Sequence, residues 1–262
     1  MRGGISCGRK RVFAQPHGRR AVTRRGYSRW LSGVSQPGNG RQCTEPAQRS
    51  DAVLAFAAGF GLDDVAPFIQ SLRSVYPGRV VMVVGRDPTL RAYLKTHNVE
   101  LETVVRRGFQ GRPAAAVERF AAFAAILEGR IDIRDVVLAD IAGGSFEADP
   151  FAHLNAPLQF YHEADGRPIA GRPGSLRELR RLAGNAIAER MADQAEITAA
   201  RVAGSRSAVA HFCRTMLLLC AAGRSSRAGA PGAAQAACNL FYHLGLGGTA
   251  SRAGFQHQTL PR

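Results

Sequence analysis

Asp51-Ala-Val-Leu-Ala-Phe-Ala-Ala-Gly-Phe-Gly-Leu-Asp-Asp64 begins as an unbroken apolar run and ends in glycines and carboxylates. A short continuous apolar run closed by turn residues is the mark of a strand buried on both faces, which predicts a strand over Ala52–Ala57. Gly59 and Gly61 permit a tight turn after it. Asp63 predicts an N-cap for a helix reaching about Tyr76, with Pro67 in its first turns and Pro77-Gly78 as its stop. The same alternation then recurs. Arg79–Val84 is a second apolar strand, Asp87-Pro88 opens a helix to His97, and Val99–Val105 is a third strand. A helix from about Pro113 to Glu128 precedes strands at Asp135–Asp140 and Leu158–His162. Strands alternating with helices predict right-handed βαβ units, hence an α/β fold with a mainly parallel sheet and helices on both faces. Beyond Ser175 the pattern reads as helical, with helices near 175–191, 206–222 and 232–243.

Outward from that core the charge changes sharply. The chain of 262 residues carries a net charge of +15. Residues 1–50 hold 11 basic groups against Glu45 alone, residues 201–262 hold 7 against none, and the intervening segment has 17 basic and 19 acidic groups. Nucleic-acid-binding domains concentrate Lys and Arg on one face of the fold, so a near-neutral fold-forming segment argues against a nucleic-acid partner. Residues 1–50 mix Arg pairs with Gly, Pro, Ser and Gln and show no sustained period, which predicts a basic extension that does not fold. Its glycines and Pro16 would break the amphipathic helix of a transit peptide. The expected organisation is this extension, an α/β part over 51–170 and a mainly helical part over 171–262. Five cysteines without a CxxC pair indicate neither a disulfide framework nor a zinc knuckle, and fit a reducing, cytoplasmic setting. No apolar run reaches the ~18–20 residues of a membrane span.

In open α/β sheets ligands bind beyond the carboxyl ends of the strands. Two such ends stand out. The turn Ala57–Gly61 leads into a helix N-terminus, where backbone N–H groups can meet an anion. As a dinucleotide fingerprint it fails, because the third glycine of GxGxxG falls on Asp64. The fourth strand ends in Asp140, a carboxylate placed to hold a divalent cation on a diphosphate. Asp149, before Pro150, reads as a turn former.

Phe56–Phe68 with Ser71-Leu72, Glu118-Arg119-Phe120 with Phe123, Val136–Asp140, and Phe146 through Asp149-Pro150-Phe151 together resemble a family of bacterial and plant nucleotide-diphospho-sugar glycosyltransferase-like proteins. The resemblance runs from about Val53 to Gly245. It implies the GT-A fold, a Rossmann-like half that binds a nucleotide diphosphate sugar, a strand-end motif carrying manganese or magnesium, and transfer of a sugar to a hydroxyl acceptor. On this chain it implies Asp140 as metal ligand, Ala57, Gly59 and Gly61 beside the nucleotide, and Arg119 on the diphosphate. It also implies a ligand-facing role for Gln235, Asn239 and His243, whose i, i+4, i+8 spacing puts them on one helical face; a solvated polar stripe would show the same spacing.

The chain departs from the family's pattern at three places. After Asp140 it reads Ile-Ala-Gly-Gly144, so Ala142 and Gly143 stand where the family has arginine and a second aspartate. Thr198-Ala-Ala-Arg201 replaces a Cys/Ser-Gly segment, with Gly204 kept in place. Ala234 stands where an aspartate precedes Gln235. These losses point to a protein with little or no transfer activity, or to a non-catalytic sugar-nucleotide-binding relative. The acid-free composition of Ala199–Gly232 raises a third reading, a frame-disrupted gene.

Overall fold

The computed structural model describes residues 50–103, 115–142, 144–162, 165–222 and 232–247. They form an α/β fold with a six-stranded mixed, mostly parallel sheet and, among the described residues, seven α-helices. β1 (Ser50–Phe56) is followed by α1 (Leu62–Val75), β2 (Arg79–Val84), α2 (Pro88–Thr96) and β3 (Val99–Thr103). α3 (Ala115–Gly129), β4 (Ile133–Ala139) and β5 (Leu158–His162) come next. After a 3-10 turn at Ile169–Gly171 come α4 (Pro173–Ala183), α5 (Asn185–Met191), β6 (Ile197–Ser205), α6 (Arg206–Ala222) and α7 (Ala233–His243).

The expected strands and their intervening helices are present, and the alternation within each strand assigns its two faces. Ala52, Leu54 and Phe56 pack with the core under α3, α6 and α7, whereas Val53, Ala55 and Ala57 pack under α1 and α2. Asp87 caps α2, accepting from Thr89 N at 2.9 Å. The first helix starts differently from expectation. Gly61 is its N-cap, and Asp64, not Asp63, reaches back to accept from Gly61 N at 3.0 Å. Asp149 is a turn former, its Oδ1 accepting from Phe151 N at 2.8 Å. Residues 1–49, 104 and 105 lie outside the described residues, and with them the expected basic extension and the end of the third strand.

The chain beyond Ser175 is not purely helical, and this is the main correction. The strand order is β3-β2-β1-β4-β6-β5. β6 runs antiparallel to both β4 and β5, pairing Ala139 with Arg201 and Phe160 with Val202. Strand residues from beyond 170 therefore sit inside the sheet. β6 is weakly apolar, Ile-Thr-Ala-Ala-Arg-Val-Ala-Gly-Ser, and acquires its strand state from two neighbours, not from its own pattern. Gly204 shows how close the fit is: a Cβ there would lie 2.3 Å from the Pro157 carbonyl oxygen and 2.9 Å from Leu158 Cα. The expected helix over 175–191 is two helices, broken at Gly184, whose φ of 88° is left-handed backbone open to glycine.

The described part of the acid-free stretch contributes to the core, which argues against a disrupted frame over residues 199–220. On α6, Val209, Phe212, Cys213, Met216, Leu217 and Cys220 form one buried stripe at helical spacing. Phe212 meets Phe160 at 5.6 Å and Phe241 at 5.0 Å between ring centroids. An out-of-frame segment has no reason to place apolar residues at this period.

Candidate functional site

The connection leaves β3 at one edge of the sheet and returns to β4 on the far side of β1. The carboxyl ends of β1 and β4 thus flank the point where strand order reverses, the usual ligand position in such sheets. Because β6 is antiparallel, its amino end comes to this same place. The sequence pattern gave no hint of that third contributor.

Asp140 follows β4 directly, and its backbone N donates to Ala200 O of β6 at 2.8 Å. Its carboxylate faces the guanidinium of Arg119 on α3, with Nη1 to Oδ2 at 2.8 Å. Arg119 Nη2 also donates to Ala199 O at 3.4 Å. Two residues expected to hold a metal and a diphosphate are therefore ion-paired with each other. The pair is only partly shielded, at 13% and 32% side-chain exposure.

Beside it lies a cleft of about 50 Å³ bordered by Asp140, Phe146, Tyr161, His162, Thr198 and Arg201. Arg201 is half-buried, with its guanidinium carbon 4.8 Å from the Phe146 ring centroid and 5.7 Å from that of Tyr161. Burial lowers the Arg201 pKa below its ordinary value, partly countered by Tyr161. Burial raises the Tyr161 phenol, opposed by the Arg201 charge. Thr198 Oγ1 accepts from Ala200 N at 3.1 Å. Sequence reasoning noted Thr198 and Arg201 only as departures from a family pattern. The pairing of β6 makes them part of the site.

Ala57, Gly59 and Gly61 lie at the same end of the sheet. Ala57 is buried and donates to Val83 O at 2.7 Å, and Gly59 turns the chain at φ 107°. Asp64 already occupies the Gly61 N–H, so the helix N-terminus carries a carboxylate where a phosphate would sit.

The α7 stripe is neither solvated nor turned to the cleft. The amino end of β6 runs past the end of β4, and α7 side chains take up its backbone groups. Ile197 N donates to Asn239 Oδ1 at 2.9 Å and Ala199 N to Gln235 Oε1 at 2.9 Å. Gln235 Nε2 donates to Ile197 O, Asn239 Nδ2 to Gln235 O at 3.0 Å, and His243 Nε2 to Ala195 O at 2.9 Å. Buried backbone groups need partners, and this helix provides them, so the three residues stand in the structure as strand supports.

A divalent cation wants several carboxylate or carbonyl oxygens. Among the described residues no three His, Cys, Asp or Glu side chains gather, and the one strand-end carboxylate is engaged by Arg119. The described residues do not fit manganese or magnesium. A second cleft, of about 440 Å³, opens at the opposite end of the sheet, where Arg134 pairs with both Asp51 and Asp135. None of the sequence-derived site residues lines it.

No helix among the described residues is long and apolar enough to cross a membrane. No protein-family model matches the chain, and no curated protein is significantly similar to it.

Proposed function

We propose that this chain is a glycosyltransferase-like protein of the GT-A kind that binds a nucleotide diphosphate sugar at the carboxyl end of its sheet, with transfer to a hydroxyl acceptor lost or nearly lost. The observation that carries this reading is the convergence at the strand-order reversal of the Arg119–Asp140 ion pair and of Arg201, which borders the same cleft as Asp140. Two arginines to one carboxylate there, among the described residues, suit an anionic ligand. The carboxyl ends of β1 and β4 at the strand-order reversal are where sheets of this kind bind ligands.

Loss of transfer follows from the same residues. A catalyst must neutralise the leaving diphosphate, and removing one charge-stabilising group typically costs on the order of 10²–10³ in rate. Asp140 is bound to Arg119, and Ala142 takes a position where the resemblance expects a charged side chain. The binding role needs less, because arginines alone recognise phosphate oxygens. A cytoplasmic setting suits the chain, since Cys213, Cys220 and Cys238 are buried without disulfides.

The test is isothermal titration of the chain against uridine and guanosine diphosphate sugars, with and without manganese, alongside a transfer and hydrolysis assay. Binding with little or no turnover is the expected result. Robust metal-dependent transfer would overturn the inactive part of this reading, and the absence of any nucleotide binding would overturn all of it.

A further inference from the structure

We draw no further inference here: the strongest candidate, the cleft of about 440 Å³ at the end of the sheet opposite Asp140, carries nothing, because Arg134 is already paired with both Asp51 and Asp135 there and nothing in the structure shows what fills or covers it.

Discussion

At the scale of single residues, Asn239 shows how a side chain with a ligand's chemistry can be structural. It is 1% exposed, and its amide joins Ile197 N to Gln235 O. Truncation to alanine leaves a buried N–H without an acceptor, which costs about 1–3 kcal/mol. We expect Asn239→Ala to lower unfolding stability by that amount, read by chemical denaturation, while affinity for a uridine diphosphate sugar stays within twofold of the parent, about 0.4 kcal/mol. A variant with unchanged stability and lost binding would restore the ligand-facing reading. The i, i+4, i+8 spacing was legible in the sequence, but its target was not. Polar residues at helical period identify a face, and only the neighbour that meets the face decides what they bind.

At the scale of elements, the strand ends of β2 and β3 are tied to the turn after α3 by one charge network. Arg79 pairs with Glu100 at 2.7 Å and with Asp132, while Arg130 pairs with Glu100 and Glu102. Burial alone would raise the Glu100 and Asp132 carboxyls, but the hydrogen bonds from Arg79, joined at Glu100 by Arg130, outweigh it and hold both below their ordinary values. A carboxylate depressed in the folded state contributes stability above its unfolded pKa and loses it as pH falls through the folded one. The contribution of Glu100 is thus complete above about pH 4.5 and vanishes on acidification. Its side chain is 41% exposed, so solvent screens the pair and the effect is a fraction of a buried bridge. We expect Glu100→Gln to be slightly less stable at pH 7 and to show a shallower fall in Tm between pH 5 and pH 2. Parallel curves for parent and variant would show that the network contributes nothing.

At the scale of the whole molecule, β6 decides what can fold alone. A chain ending at residue 170 would leave β4 and β5 without the strand between them, and would remove α6 and α7 from the core around Phe160. We expect residues 50–170 to show no cooperative thermal transition, whereas residues 50–247 unfold cooperatively. A sharp calorimetric transition in the shorter fragment would mean that the sheet is stable without β6. The sequence by itself determined strands β1 to β5 and the helices between them, because continuous apolar runs and helical stripes carry their burial in their own pattern. It also marked Asp140 as a residue of interest, since strand ends can be read from where apolar runs stop, whereas Arg119 was marked by the resemblance alone. Only the tertiary structure decided that Ile197–Ser205 is a strand, that Arg119 and Asp140 pair with each other, that Arg201 borders the same cleft as Asp140 and that the α7 stripe supports β6. All four are contacts between distant segments, and a residue's own sequence neighbourhood carries little information about a partner that folding brings from elsewhere in the chain.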